Sequence, residues 1–287
     1  MKRLIVNADD FGLTSGVNRA IVELHGAGVL TSATLMANAA ATTEAVALAK
    51  ANPTLGAGCH VVLLDGAPVL PADQLPSLTE SSSGRFHPTL GAFLKRLFAG
   101  RIRAEEMEAE AYAQIARLQA SGVTLTHVDT HKHTHMFPAV LRAVLRAARS
   151  CGIRAVRNPF EPAWSVRATQ GAPWARRMEV SLLRGLAPAF RRIVAEEGFT
   201  TTDGSIGVLA TGTLDARTVA SLTAALPEGT FELVSHPGYN DADLARGHTR
   251  LLASREMERQ ALTALKGRQI PDLVSFAALV DHPDKIC

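Results

Sequence analysis

Short runs of β-branched and apolar residues alternate with longer runs rich in Ala, Leu and Arg, and this alternation constrains the fold more than any other feature. Strands separated by helical segments are typical of βα units, whose strands run parallel. Eight predicted strands in 287 residues favour an α/β fold with a distorted (β/α) barrel of the TIM type over an open sheet. The predicted strands are Leu4–Ala8, Ala33–Ala37, Gly56–Leu63, Leu125–Asp129, Ile153–Arg157, Ile206–Leu209, Phe231–Ser235 and Leu273–Phe276. The predicted helices include Gly16–Ala27, Ala104–Ala120 and Pro138–Ser150.

The whole chain, residues 1–287, is predicted to form one domain. Its 47% of hydrophobic residues can bury one large core or two modest ones. Two stretches interrupt the alternation: residues 65–90, with several prolines and the run SSSG, predict a long loop, and residues 160–198 predict a helical insertion between two strands. Neither stretch has the composition of a linker between domains.

Charge and cysteine content argue against several classes of protein. A formal net charge of +3 is too small to indicate a nucleic-acid partner. Cys59, Cys151 and Cys287 are scattered and odd in number, which gives neither a disulfide framework nor a cysteine metal clip. The first apolar run is too short for a signal peptide, and no segment reaches the roughly 20 apolar residues of a membrane span. These features favour a cytoplasmic protein.

Polar residues collect where the predicted strands end. Asp9 and Asp10 follow the first strand, His60 ends the segment GAGCH, and His236 lies in SHPGY after the seventh strand. The fourth strand continues into HVDTHKHTH and the fifth into VRNPFE. Because the active site of a parallel barrel lies at the carboxyl ends of its strands, we expect these side chains to meet.

The segment HVDTHKHTH favours a metal site. Alternate residues of a strand share a face, which groups His127, Asp129 and His131, and His133 and His135 would continue this face if the chain stayed extended. A divalent cation keeps clustered imidazoles neutral and turns their proximity into coordination. The alternative is an exposed, His-rich loop that binds metal adventitiously.

Together with His60, one aspartate and one histidine of the cluster complete a set of two histidines and a carboxylate from three strands. Such a set leaves coordination positions open for water and substrate, as hydrolytic metal sites require. Of Asp9 and Asp10, one would bind the metal and the other would act as a general base, because consecutive residues point in different directions. The alternative is an acidic pair that precedes a helix.

Three further residues are candidates for the same site. His236 would face the barrel mouth and could protonate a leaving amine, whereas a structural histidine is the alternative. Arg157 and Glu161 in VRNPFEP would orient the base or the substrate. A surface salt bridge is the alternative for this pair.

Taken in order, the segments NADDFG, GCH, HVDTHKHTHMFP, VRNP and SHPG resemble the motifs of the YdjC-like carbohydrate deacetylases. The similarity spans nearly the whole chain, and the combination of ADDFG with HxDxHxHxH is highly specific, whereas SHPG alone is not. The resemblance implies a distorted (β/α) barrel that removes an N-acetyl group from an amino sugar. It also implies one divalent metal ion, zinc or magnesium.

The family pattern implies a role for each matching residue. These are Asp9 as general base, Asp10, His60 and His131 as metal ligands, and His236 as general acid. Lys132 departs from the pattern, because the family often carries a histidine at this position.

Within the family, the stretches that flank the histidine cluster are similar to the branch linked to hopanoid biosynthesis. This likeness implies an N-acetylglucosaminyl hopanoid as substrate and a transient contact with the surface of the inner membrane. In the segment 174–198, Met178, Leu182 and Leu186 form an apolar stripe. The stripe belongs either to a helix hairpin packed on the barrel or to a segment that shields the apolar part of a lipid-linked substrate.

Two other functions are compatible with these residues. A phosphoester hydrolase would need several basic residues at the strand ends, and the sequence offers chiefly Arg157 and Lys132. A non-catalytic sugar- or lipid-binding barrel would keep Asp10 and the histidines but would have no need of Asp9.

Overall fold

The structure is a computed structural model that describes residues 1–246, 249, 251–267 and 272–280. Its strands are β1 (Lys2–Phe11), β2 (Ser32–Leu35), β3 (Gly56–Val61), β4 (His127–Thr130), β5 (Gly204–Ile206), β6 (Gly229–Ser235) and β7 (Asp272–Leu273). Its α-helices are α1 (Ser15–Gly26), α2 (Thr42–Ala51), α3 (Leu90–Phe98), α4 (Ala104–Ala120), α5 (Pro138–Ser150), α6 (Ala163–Ala168), α7 (Trp174–Leu183), α8 (Ala187–Glu196), α9 (Ala216–Ala224), α10 (Ala242–Arg246) and α11 (Leu252–Thr263).

The strands form one parallel sheet in the order β4-β3-β2-β1-β6-β5, and β7 pairs with the start of β1. Each described pair of strands runs parallel. The sheet curls into a half-barrel with helices between successive strands, which confirms the predicted α/β class and agrees with a distorted barrel. Parallel pairing brings the carboxyl ends of the strands to one edge, where the candidate residues lie.

The predicted fifth strand, Ile153–Arg157, is not a regular strand. Val156 forms an isolated bridge with Val128 of β4, and Ala155 forms another with Thr200, shortly before β5. Pro159, which has no N–H to donate, follows within two residues and limits any ladder. The prediction of this strand was therefore wrong, and an irregular segment instead spans the gap between the outermost strands of the half-barrel.

The last predicted strand, Leu273–Phe276, is also shorter than expected. Among the described residues, Asp272 and Leu273 form the ladder with β1, and Phe276 begins a 3₁₀ turn that ends at Leu279. In this turn, Phe276 and Leu279 pack with Ile5 in a small apolar cluster. In place of the predicted strand pairing, Phe276 and Leu279 thus form an apolar plug against the inner face of the sheet.

The two faces of the sheet differ in polarity. Leu4, Val6 and Leu233 point outward into a large apolar core shared with the helices. The inner face instead carries buried polar side chains, namely Asn7, Asp9, Ser32, Thr34, His127, Asp129 and Glu232. The His127 ring stacks on Phe276 with 3.6 Å between centroids. The half-barrel therefore encloses a polar chamber that an aromatic plug closes at one end.

The helices follow their sequence signals closely. α4 and α5 have the predicted bounds, and α1 begins and ends one residue earlier than predicted. The Thr14 hydroxyl caps α1 by accepting the Val17 N–H at 3.3 Å, and Pro138 opens α5, where a missing N–H costs nothing. Within 160–198 the structure has three α-helices, α6, α7 and α8, and a 3₁₀ turn, Arg184–Leu186, that joins the last two.

The predicted loop at 65–90 contains one short 3₁₀ turn, Ala72–Gln74, and an isolated bridge between Thr79 and Phe86. Cys59 is buried and Cys151 is half-buried, both as free thiols, and Cys287 lies outside the described residues. Across the described part of the chain, none of the helices has the length and apolar character needed to cross a membrane.

Candidate active site

Three strand ends bring Asp10, His60 and His131 together. The Asp10 Oδ1 atom lies 3.5 Å from His60 Nε2 and 3.5 Å from His131 Nδ1. The two histidine nitrogens are 3.4 Å apart. These nearly equal separations match the spacing of about 3.4 Å between ligands of a tetrahedral ion with bonds of about 2.1 Å. The three side chains could therefore hold one divalent cation.

A bulge in β1 allows both adjacent aspartates to face the chamber. The pairing of β1 with β2 shifts register between Ala8 and Phe11, and Asp10 adopts a left-handed backbone with φ of 65°. In a regular strand the two carboxylates would point to opposite faces. The bulge instead directs Asp10 toward the histidines, while Asp9 keeps its inward orientation.

The histidine cluster does not stay extended, which was the condition for His133 and His135 to continue the face of His131. β4 ends at Thr130, and His131–Met136 form a 3₁₀ turn in which Lys132 and His133 both have left-handed backbones. The Lys132 ammonium bonds the Asp65 carboxylate at 2.6 Å on the neighbouring loop. The turn therefore separates His131, at the metal group, from the later histidines.

His135 and His133 have different surroundings within this turn. The His135 ring contacts the Thr130 hydroxyl at 2.8 Å and the Arg157 carbonyl at 3.2 Å, so it ties the turn to the next segment. The Nδ1 atom of His133 is buried without a hydrogen-bond partner among the described residues. Neither histidine belongs to the group of Asp10, His60 and His131.

Asp129 orients the His60 ring. Its Oδ1 atom lies 2.8 Å from His60 Nδ1, which turns Nε2 toward Asp10. The Thr34 hydroxyl contacts both side chains at 3.3–3.4 Å. A carboxylate on the far nitrogen of a ligating histidine fixes its tautomer and raises its basicity.

Arg157 is completely buried and bonds to three carboxylates. It donates to Asp9 through Nη2 at 2.6 Å and Nη1 at 2.9 Å, and to Glu232 through Nε at 2.8 Å. It also forms an ion pair with Asp129. With 0% of its side chain exposed, Arg157 does not form the surface salt bridge that was the sequence-based alternative. The guanidinium instead fixes Asp9 in place.

A second acidic group, Asp9, His60 and Asp129, also has the spacing of a metal site. Arg157 already contacts both of its carboxylates, so its charge is compensated within the protein. The group of Asp10, His60 and His131 is therefore the better candidate for a cation.

His236 lies half-buried between two carboxylates. Its Nε2 atom is 3.6 Å from Asp9 Oδ2, and its Nδ1 atom is 3.7 Å from Glu258 Oε2. Burial alone would lower the pKa of the imidazole, but Glu258, Asp9 and Asp10 together raise it. The ring can therefore hold a proton beside the Asp9 carboxylate.

Glu161 lies away from these groups. Its carboxylate accepts the Ser165 hydroxyl at 2.5 Å and the Leu209 N–H at 2.5 Å, which joins the start of α6 to the loop after β5. Burial raises the pKa of this carboxyl despite those hydrogen bonds. The structure thus brings Arg157 to Asp9, but it gives Glu161 no hydrogen bond or ion pair to the candidate catalytic and metal residues within the described residues.

The charges around the chamber favour bound cations. Five buried carboxylates face two buried guanidinium groups. These are Asp9, Asp10, Asp129, Glu232 and Glu258 on one side and Arg157 and Arg255 on the other. A divalent cation and one protonated histidine would cancel the excess of three negative charges, whose burial would otherwise be costly.

The raised pKa of the His60 imidazole also reflects the excess of negative charge around the chamber. Burial, the largest influence, lowers its pKa, but the carboxylates of Asp129, Asp9 and Asp10 outweigh burial and raise the pKa to about 9. A buried imidazole with this affinity for a proton is also a strong ligand for a cation. The donor set therefore fits a divalent metal ion.

Three buried charged residues at the site were not found from the sequence: Glu232, Arg255 and Glu258. Glu232 had a signal, because a carboxylate within the apolar strand FELVS needs a buried partner. Arg255 and Glu258 lie in SREMERQ, which resembles an exposed helix rich in charge. Nothing in that stretch indicates that two of its charges point inward.

Comparisons with known proteins agree with these features. A family model described as YdjC-like protein matches residues 3–271. A carbohydrate deacetylase of Thermoanaerobacter pseudethanolicus is 30% identical over 263 residues, which cover 92% of this chain and 91% of that protein. One of Mus musculus is 34% identical over 254 residues, which cover 85% and 81%.

Other matches are shorter or structural. A carbohydrate deacetylase of Brevibacillus brevis is 48% identical over 131 residues, so that the match spans about half of that relative, 49% of its length, and 46% of this chain. A crystal structure from Enterococcus faecalis, of a candidate cellobiose-phosphate cleavage protein, superposes with a TM-score of 0.74. It is 26% identical and covers 97% of this chain and 98% of its own.

Proposed function

The chain belongs to the YdjC-like protein family, and we propose that it is a metal-dependent carbohydrate deacetylase. It would hydrolyse the N-acetyl amide of an amino-sugar conjugate and release acetate. The observation that carries this proposal is the cluster of Asp10, His60 and His131 beside the Asp9–His236 pair. A cation site next to a proton-transfer pair supplies both the Lewis acid and the acid–base groups of metal-dependent amide hydrolysis.

In the proposed mechanism, Asp10, His60 and His131 hold the cation. When bound, a divalent ion supplies a Lewis acid that polarises the amide carbonyl and makes water more acidic. Asp129 keeps the His60 ring oriented, and Arg255 holds the second oxygen of Asp10 at 2.5 Å. These contacts leave one oxygen of Asp10 facing the two histidines.

Asp9 is the proposed general base toward the attacking water. Burial, the largest influence, raises its pKa, but Arg157, His60 and His236 outweigh burial and hold the pKa far below its usual value. Asp9 is therefore ionised and can accept a proton from the attacking water. Because its pKa is low, it releases this proton readily. His236 Nε2, 3.6 Å away, can take that proton over.

His236 is the proposed general acid. It gives its proton to the leaving nitrogen as the C–N bond breaks, and the proton collected by Asp9 then restores it. The leaving amine departs neutral, and the acetyl group departs as acetate after loss of its own proton. Arg157 stabilises the Asp9 carboxylate throughout and holds it in one orientation.

We further infer that the acetylated sugar is linked to an apolar group, such as the hopanoid implied by the branch-level resemblance. The supporting observation is the outward face of α7, where Trp174, Met178 and Leu182 are 78%, 62% and 80% exposed. These residues recur every fourth position and form one stripe. Arg176 of the same helix bonds the Val208 carbonyl, which follows β5 on the side of the barrel mouth.

This stripe suits the surface of a bilayer that contains the substrate. A helix whose aromatic and aliphatic side chains face away from the protein can insert them at the interface of a membrane. The enzyme would then meet a lipid-linked sugar without a spanning segment. A soluble sugar conjugate remains a substrate in this proposal, because the catalytic groups act only on the acetamide.

The phosphoester hydrolase is less well supported. Arg157 and Arg255 are each bonded to a carboxylate, and Lys132 is paired with Asp65. A phosphate group would need cations with free N–H donors at the site. Arg157 and Lys132 are committed to carboxylates, whereas the Nε and Nη1 atoms of Arg255 have no hydrogen-bond partner among the described residues. A single guanidinium with donors to spare is fewer cations than a phosphate site needs.

An assay for both products tests the proposal. The purified protein is stripped with a chelator, reloaded with zinc or magnesium, and incubated with an N-acetylglucosamine conjugate. We expect equal amounts of acetate and free amine, with no release from the stripped protein or from Asp9→Asn. Binding without release would favour the non-catalytic barrel, and cleavage of an aryl phosphate alone would favour the phosphoesterase.

A further inference from the structure

Helix α11 directs two buried charges, Arg255 and Glu258, toward the active site. Both residues are almost completely buried, although their neighbours Glu256 and Arg259 pair with each other near the surface. Residues three apart on a helix usually pair when their charges are opposite. Arg255 and Glu258 form no ion pair with each other in the described part of the chain, and each reaches a different active-site residue.

Arg255 decides how Asp10 is presented. Its Nη2 atom donates to Asp10 Oδ2 at 2.5 Å, and the other oxygen, Oδ1, lies 3.5 Å from both histidine ligands. The carboxylate therefore has one oxygen committed to the protein and one directed at the cation site. Without this contact the carboxylate could rotate, and the left-handed backbone of Asp10 would not by itself fix its oxygens.

Glu258 holds His236 from the opposite side to Asp9. Its Oε2 atom accepts the backbone N–H of His236 at 2.6 Å and lies 3.7 Å from the Nδ1 atom of the ring. Its Oε1 atom accepts the Gly212 N–H at 3.2 Å, which fixes the carboxylate itself. A negative charge beside Nδ1 favours a proton there and leaves Nε2 directed at Asp9.

Resting on the proposed function, we infer that α11 is a positioning helix for the whole reaction. Arg255 sets the orientation of the metal-binding aspartate, and Glu258 sets the tautomer and orientation of the general acid. Neither residue contacts the substrate in this proposal. Helix α11 thus positions both the metal-binding aspartate and the general acid, which lie at the ends of two strands.

A purely structural role for α11 makes a different prediction. Arg255 and Glu258 would then only anchor the helix, and their replacement would lower stability without changing the cation site or the His236 ring. The two possibilities are distinguished by measurements that do not depend on turnover.

The first measurement is the affinity for zinc, determined by competition with a chromophoric chelator. We expect Arg255→Met to weaken zinc binding by about 10- to 100-fold and Arg255→Lys to recover part of the loss. Arg259→Met, one turn along α11 and with a half-buried ion pair to Glu256, is the matched control and should bind zinc like the wild type. Circular dichroism confirms that each variant is folded.

The second measurement is the protonation of the His236 ring in zinc-loaded protein, observed by nitrogen-15 NMR and assigned with His236→Gln. The titratable groups that face this ring include Asp9 and Asp10 from β1, His133 from the turn after β4 and Glu258 from α11. We expect Glu258→Gln, which can still accept the backbone N–H, to move the proton off Nδ1. The alkaline limb of kcat should move to lower pH by about one unit. Glu256→Gln is the matched control.

Unchanged zinc affinity in Arg255→Met together with an unchanged His236 ring in Glu258→Gln would overturn the inference. If the wild type released no acetate but both measurements responded as expected, the proposed function would fail and the positioning role of α11 would stand. If acetate release were normal and neither measurement responded, α11 would be an anchor only.

Discussion

The Asp9 carboxylate and the Arg157 guanidinium, both buried, are joined side by side by two hydrogen bonds of 2.6 and 2.9 Å. The guanidinium also contacts Asp129 and Glu232. Through this fork of parallel hydrogen bonds, Arg157 links the proposed base to Asp129, which orients His60, and to Glu232 of the adjacent strand β6. The position of Asp9 therefore depends on a residue 148 positions later in the chain.

Arg157→Lys should separate the effect of the positive charge from the effect of the paired hydrogen bonds to Asp9. Lysine keeps the positive charge but cannot donate two parallel hydrogen bonds to one carboxylate. We expect kcat to fall by about 100-fold while zinc stays bound, and the free energy of unfolding to fall by about 2 kcal/mol. Arg154→Lys, an exposed residue of the same segment, is the control. Wild-type kcat in Arg157→Lys would show that the fork is dispensable for Asp9.

Metal content should distinguish the two adjacent aspartates. We expect Asp10→Ala, His60→Ala and His131→Ala each to lose bound metal, because each removes one of the three ligands. Asp9→Asn should keep the metal and lose activity by at least about 100-fold, because it removes only the base. Metal and rate are measured on the same preparations. Near-normal turnover in Asp9→Asn would move the base elsewhere, and His133→Ala should retain its metal as a control.

His236→Ala should act mainly on kcat. The ring lies beside Asp9 and between two carboxylates, where it holds a proton for the leaving nitrogen. Its loss should lower kcat by about 100-fold or more and leave KM within a small factor. Steady-state kinetics on one N-acetylated substrate test this. A change confined to KM would make His236 a binding residue.

Leu182→Asp tests the exposed stripe of α7. Leu182 is 80% exposed, so an aspartate there should leave stability unchanged. It should reduce activity on a lipid-linked N-acetylglucosamine presented in vesicles and spare a soluble chitobiose-like substrate. Leu186→Asp, whose side chain packs against the core, should instead lower activity on both. An equal effect of Leu182→Asp on both substrates would argue against contact with a bilayer.

The raised pKa of Glu232 should be visible in the pH dependence of the free energy of unfolding. Burial raises the pKa of this carboxyl to about 7, although Arg157 opposes the shift. Between its ordinary value and 7 the folded chain holds a proton that the unfolded chain has released, so stability falls as pH rises through this range. In chelator-treated protein, Glu232→Gln should lack this decline, which reaches about 1.4 kcal/mol per pH unit. Urea unfolding at pH 5, 6 and 7 measures the free energy of unfolding of both proteins. The stability of Glu232→Gln relative to the wild type should increase as the pH rises.

Local patterns predicted much of the framework. The bounds of α4 and α5 follow from helical periodicity, and β1, β3 and β6 follow from runs of apolar residues. The meeting of His60 with one of the two aspartates and one histidine of the cluster could be predicted because the carboxyl ends of parallel strands must meet. The choice of Asp10 and His131 followed from the family resemblance. Each of these features is set by residues near one another in the chain or by a rule of topology.

The features that the sequence did not predict depend on contacts between distant residues. The bulge at Asp10 and the left-handed backbones of Lys132 and His133 have no glycine to mark them, although Asp and His adopt such backbones more often than most residues. Arg255 acquires its role from Asp10, which lies 245 positions earlier. Residues 153–157 have the apolar pattern of a strand, and the prediction relied on that pattern alone. The neighbouring segments at Val128 and Thr200 form only isolated bridges with them, so no regular strand results.

The outward face of α7 also gives the protein a natural optical probe. The chain has two tryptophans, and they lie in unlike environments: Trp174 is 78% exposed, whereas Trp164 is half-buried against the Phe231 ring, with centroids 5.2 Å apart. Water around an exposed indole shifts its fluorescence to longer wavelength, so the red part of the emission belongs to Trp174. Iodide in the aqueous phase should quench this component first. The emission colour of the unlabelled protein can therefore report whether α7 faces solvent or something apolar.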